Sequence, residues 1–93
     1  MGQQVGVFLV DDHAVVCRGL ASYLDGEDDI VVVGQAGDGR RALDELAVLA
    51  NSAGGLPDVV LMDLLMPGMD GIACTGEIAR RWPDVRVMAV TSV

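Results

Sequence analysis

The stretch Val60–Gly71, "VLMDLLMPGMDG", sets an apolar run against a carboxylate at Asp63 and follows it with a loop holding Pro67 and two glycines. With Val59 in front, the run is short, β-branched and apolar on both alternating faces. That is the pattern of a strand covered on two sides. A buried strand that ends on an ionisable side chain needs a reason, and the rest of the chain supplies one.

Upstream, "VGVFLV" over 5–10 has the same character and is stopped by Asp11 and Asp12. The segment "HAVVCRGLASYL" that follows repeats apolar residues at helical spacing, with Val16, Leu20, Tyr23 and Leu24 assigned to one face. Gly26 and the acidic run over 25–29 end it, a run expected to be a solvated turn. "IVVVGQA" over 30–36 reads as a second buried strand. Asp38 is a plausible N-cap for a helix whose stripe is Leu43, Leu46, Ala47 and Ala50. Downstream of the opening stretch, Ile72, Thr75, Ala79 and Trp82 recur at helical spacing until Pro83 and Asp84, and "VRVMAVTSV" over 85–93 reads as a fourth strand.

The order βαβαβαβ implies an α/β fold with a parallel sheet, since parallel strands require crossover connections and these are right-handed in almost all cases. In such sheets functional residues gather outside the carboxyl ends of the strands, near the point where strand order reverses. For a sheet order of 2-1-3-4, the first strand would deliver Asp11 and Asp12 to that edge, the third Asp63, and the fourth Thr91 and Ser92. Neighbouring strands lie ~4.8 Å apart, so these side chains would share a pocket. Clustered carboxylates repel one another unless some are protonated or a cation sits among them. An all-oxygen set suits a hard ion, Mg2+ best, because that ion accepts one or two carboxylates and leaves positions for a phosphate oxygen. A carboxylate beside such an ion is a competent nucleophile toward phosphorus.

Composition sets limits. The chain has 93 residues, 14 acidic against 6 basic, all six of them arginine, for a net charge of -8. Direct binding of this segment to nucleic acid or to an anionic membrane is disfavoured, since both demand clustered positive charge. Cys17 and Cys74 are too far apart for a CxxC or zinc motif and are expected to pack inside helices. Gly34, Gly37 and Gly39 superficially suggest a phosphate loop but lack G-x-G-x-x-G and lysine. His13 is expected to be a partly exposed residue of a helix's first turn. No basic-apolar leader and no apolar run of ~20 residues is present, so the cytoplasm is the default compartment.

"FLVDDHAVVCRGL", "VVLMDLLMPGMDG" and "VRVMAVTSV" together resemble the receiver domain of bacterial response regulators, of the NarL/LuxR-type subfamily, across essentially all 93 residues. The resemblance implies a flavodoxin-like (CheY-like) fold, with residues 1–93 forming its N-terminal part through the fourth strand. It implies Asp63 as phospho-acceptor, Asp11 and Asp12 as the acidic pair that holds Mg2+, Leu65 as a metal ligand through its backbone carbonyl, and Thr91 as the switch hydroxyl. A sensor histidine kinase as phosphodonor, homodimerisation, and DNA binding only through a helix-turn-helix domain beyond residue 93 are further implications. So are a fifth strand carrying a lysine and an aromatic, and a closing helix, making the chain part of a longer regulator. The domain is expected to signal rather than to act as an enzyme. The alternatives are a phosphorylation-independent interaction module and, less favoured, a phosphohydrolase with an aspartyl nucleophile; for the latter the residue two after Asp11 would usually be aspartate, and here it is His13.

Overall fold

The structure is a computed structural model that describes residues 4–64, 66 and 69–90. Seven elements alternate: β1 (Val5–Val10), α1 (Ala14–Asp25), β2 (Ile30–Ala36), α2 (Gly39–Ala50), β3 (Val59–Asp63), α3 (Gly71–Arg81) and β4 (Arg86–Val90). The strands form one parallel sheet in the order β2-β1-β3-β4. This is the expected α/β order 2-1-3-4 of the flavodoxin-like receiver fold. The fourth strand is described as far as Val90, and the remainder of the segment expected to be strand lies outside the described residues.

The two-residue period of β1 divides its side chains between two helical layers. Phe8 and Val10 join Leu43 and Leu46 of α2, Cys74 and Ile78 of α3, and Val60 and Met62 of β3 in the larger apolar cluster. Val7 and Leu9 face the other way and meet Cys17 of α1, with Leu20, Ala21 and Leu24 partly buried beside them. Both cysteines are buried free thiols within helices, as expected.

The helical faces correct the sequence phasing. On α1 the buried side is Cys17, Leu20, Ala21 and Leu24, a regular i, i+3, i+4, i+7 set, whereas Val16 is 37% and Tyr23 73% exposed. On α2 the stripe is Gly39, Ala42, Leu43 and Leu46, and Ala50 is exposed. On α3 it is Gly71, Cys74 and Ile78, while Ile72 is 70% exposed. β2 is an edge strand of which only Ala36 is buried, so it is not the fully buried strand expected. Residues 25–29 are exposed throughout, in keeping with a solvated turn.

Of the three glycines Gly34, Gly37 and Gly39, the first and last have packing roles, while a Cβ on Gly37 would meet nothing within 4 Å. A Cβ on Gly34 would lie 2.8 Å from the Phe8 ring, and one on Gly39 would lie 2.8 Å from the Met69 carbonyl oxygen.

Candidate functional site

The carboxyl ends of β1 and β3, the two central strands, carry the site. Asp11 directly follows β1 and its N–H donates to the Ala36 carbonyl (3.1 Å), which continues the ladder toward β2 by one residue. The side chain then turns back: Asp11 Oδ1 accepts from the His13 N–H at 2.8 Å. Aspartate favours such a local turn because its short side chain reaches backbone two residues on. His13, not Asp11 or Asp12, is the N-cap of α1, with an extended backbone and no capping bond from its own side chain.

Asp63 is the last residue of β3 and is 2% exposed. The loop after it is tied at both ends. Gly71 N–H donates to the Leu64 carbonyl (3.4 Å), Asp70 Oδ1 caps α3 by accepting from the Ala73 N–H (2.7 Å), and Met66 is buried in the larger cluster. At Gly71 a Cβ would meet the Asp63 carbonyl oxygen and would come within 2.5 Å of Leu64 Cα. Only glycine lets the start of α3 sit directly on the backbone that presents Asp63.

Asp11, Asp12, His13 and Asp63 each offer a ligand atom, and these atoms all lie within 4.8 Å of one another. His13 Nδ1 is 3.0 Å from Asp11 Oδ1, 3.0 Å from Asp12 Oδ1 and 3.9 Å from Asp63 Oδ2. The hydrogen bond to Asp11, followed by the charges of Asp12, Asp11 and Asp63, raises the imidazole above its ordinary value of 6.5 despite partial desolvation. Three carboxylates drawn together around one imidazole are an electrostatic arrangement that calls for positive charge. The carboxylates and the imidazole nitrogen together fit a divalent cation.

Sequence reasoning placed Asp11, Asp12 and Asp63 in one pocket, and the structure brings them together. It missed His13, which makes the set mixed nitrogen and oxygen rather than all oxygen. The signal was available: a residue two after Asp11 lies within reach of an Asx-type turn. Leu65 and Thr91, and Ser92 beside it, lie outside the described residues.

Next to this group, between α1, α2 and the end of β2, a cavity of about 350 Å³ is lined by Asp11, Asp12, Arg18, Gln35 and Arg41, among others. Two carboxylates and two guanidinium groups line it, so the rim of the site carries both signs of charge. Burial pushes the Cys17 thiol up, with a further contribution from Asp11, and its Sγ donates to the Asp11 carbonyl at 3.5 Å.

Over residues 7–93 the chain matches the response regulator receiver domain family. It belongs to that family. The receiver is similar to the transcriptional regulatory protein LiaR of Bacillus subtilis, with 44% identity over 88 residues, covering 95% of this chain and 39% of LiaR. Among solved structures it resembles a LuxR-family two-component response regulator from Aurantimonas sp. SI85-9A1, with a TM-score of 0.83 and 29% identity over 96% of this chain and 59% of that one. It also resembles RcsB of Salmonella enterica serovar Typhimurium bound to the promoter rprA in the presence of phosphomimetic BeF3-, with a TM-score of 0.81, 28% identity and coverage of 95% and 69%. The receiver thus spans about two fifths of the length of its curated relative. Among its described residues no helix is long and apolar enough to cross a membrane.

Proposed function

We propose that this receiver accepts a phosphoryl group on Asp63 from a sensor histidine kinase in the cytoplasm and passes the change to a DNA-binding output, by way of dimerisation. The observation that carries the reading is the placement of Asp63: a 2% exposed carboxylate at the tip of a central strand, grouped with Asp11, Asp12 and His13 within 4.8 Å. A structural cap would not need three further ionisable groups around it.

In this reading an Asp63 carboxylate oxygen forms a bond to phosphorus, and the bond between phosphorus and the donor's nitrogen or oxygen breaks, with its electron pair leaving on the donor. Asp11 and Asp12 would hold Mg2+, with the Leu65 backbone carbonyl as a further ligand; when bound, the ion neutralises phosphoryl oxygens during transfer. The Gly71–Leu64 hydrogen bond and the buried Met66 side chain would keep the nucleophile oriented, and burial of Asp63 keeps bulk water from its side of the strand. Thr91 would follow the phosphoryl group as the switch hydroxyl, biasing a surface between two states. The receiver itself is a signalling domain whose chemistry is limited to its own phosphorylation and dephosphorylation.

The test is an intact-mass spectrum after incubation with Mg2+ and acetyl phosphate. A single labile phosphoryl adduct is expected, lost in Asp63→Asn and on omitting Mg2+. Stoichiometric labelling of D63N would refute the assignment, and an unmodified wild-type chain would favour the phosphorylation-independent interaction module.

A further inference from the structure

We infer that His13 is a nitrogen ligand of the acidic site, so that the site takes first-row transition ions such as Ni2+ in competition with Mg2+ and holds them more tightly. This rests on the reading of Asp11, Asp12 and Asp63 as a cation site and adds to it a donor of a different kind.

His13 Nδ1 shares a 3.0 Å hydrogen bond with Asp11 Oδ1 and lies 3.0 Å from Asp12 Oδ1 and 3.9 Å from Asp63 Oδ2, so on losing its proton the imidazole turns a nitrogen lone pair toward the oxygens that would hold an ion. One ion can therefore be reached by the imidazole and the acidic pair with little rearrangement.

Local backbone structure supports the same assignment. The His13 N–H is held by Asp11 Oδ1 at 2.8 Å, and the residue begins α1 without using its side chain as a cap, so the ring is committed to the carboxylates and not to the helix. The side chain is 57% exposed, which leaves the outer face of the site open to solvent and to an entering hydrated ion. His13 is also the single histidine of the chain, and both cysteines are buried, so competing soft or borderline donors are few.

The chemistry decides which ions profit. Mg2+ takes oxygen ligands and keeps its water in preference to imidazole, whereas imidazole suits Ni2+, Cu2+ and Zn2+, and affinity for a mixed site rises along the first row toward copper. Four protein donors of one atom each would leave further positions of such an ion to water or to a phosphoryl oxygen.

Isothermal titration of the 93-residue chain with Ni2+ and with Mg2+, each in the presence and absence of the other, tests this with His13→Ala, His13→Gln and Asp12→Asn variants. Competition between the two ions is expected in the wild type. Both histidine variants should bind Ni2+ about tenfold or more weakly and Mg2+ within about twofold of wild type, a split that a structural role would not produce. Unchanged Ni2+ affinity in both histidine variants, or equal loss of both ions, overturns the assignment of His13 and leaves the carboxylate site standing. Retention of both ions by D12N removes the cation site itself, and the inference with it. Because His13 lies at the surface, circular dichroism of its variants should match the wild type.

Discussion

Gly71→Ala should destabilise the receiver and displace Asp63, while Gly76→Ala, five residues later in the same helix, should stabilise it. A Cβ at position 71 would sit 2.5 Å from Leu64 Cα and 3.0 Å from the Asp63 carbonyl carbon, and closer still to the Asp63 carbonyl oxygen. All three are backbone atoms, so no side chain can swing aside. Restoring an ordinary contact of ~3.5 Å demands a relative shift of about 1 Å between α3 and the end of β3, the scale of overpacking that costs about 1–3 kcal/mol. At Gly76 a Cβ meets nothing within 4 Å, and the helix gains the propensity difference between alanine and glycine, about 1 kcal/mol. Urea denaturation of the two variants beside wild type measures both terms, read as midpoints at constant slope. Phosphoryl incorporation from acetyl phosphate reports whether Asp63 has moved, with G71A slowed and G76A unaffected. If G71A were as stable as wild type, or if the two substitutions moved the midpoint in the same direction, the close approach of α3 to the acceptor strand would not be what fixes this loop.

Further outcomes can be checked independently. The His13 imidazole should titrate above 6.5 by NMR, and Asp11→Asn should lower it, since the Asp11 bond is the largest cause of the rise. For stability the sign follows from the raised folded value: the stabilisation from the imidazolium is fully present below 6.5 and is lost as pH rises through the folded value, so the thermal midpoints of wild type and H13Q should converge above that window. Burial, with Asp38 and Glu77 nearby, pushes the Cys74 thiol up to about 11. Together with the buried Cys17, it should react with a disulfide reagent at pH 8 only after unfolding. Asp38→Ala and Asp70→Ala should each cost about 1 kcal/mol in denaturation, because each removes a side-chain oxygen that accepts from the third residue of its helix.

The sheet was legible because its signals are local: two apolar runs end at or just before an aspartate, and single helical segments separate the strands, which leaves few topologies. The helical faces were not, because the residues that α1 and α3 bury are small. Cys17, Ala21, Gly71 and Cys74 carry weak hydrophobic weight, while larger apolar side chains such as Tyr23 and Ile72 stand exposed and drew the stripe to themselves. At the site, strand register was enough to join Asp11 and Asp12 to Asp63. His13 escaped although it lies two residues after Asp11, because its approach to the carboxylates depends on an Asx-type turn that this spacing permits but does not require. Leu65 was drawn from motif likeness alone and Thr91 from strand order as well, and both lie outside the described residues.

Among the described residues the two faces of the sheet carry unequal apolar clusters. Asp63 is anchored through β3 and Met66 to the one with twelve buried residues, whereas the helix that carries His13 at its start rests on the one with three. Local opening free energy follows buried contact, so amide protons of α1 should exchange sooner than those of β3 and α3. An excursion in which α1 lifts would scatter the donors contributed by the Asp11–His13 turn while Asp63 stays in register. Asp63 is thus the enduring part of this group of side chains, and the Asp11–His13 part is assembled and dissolved with one helix.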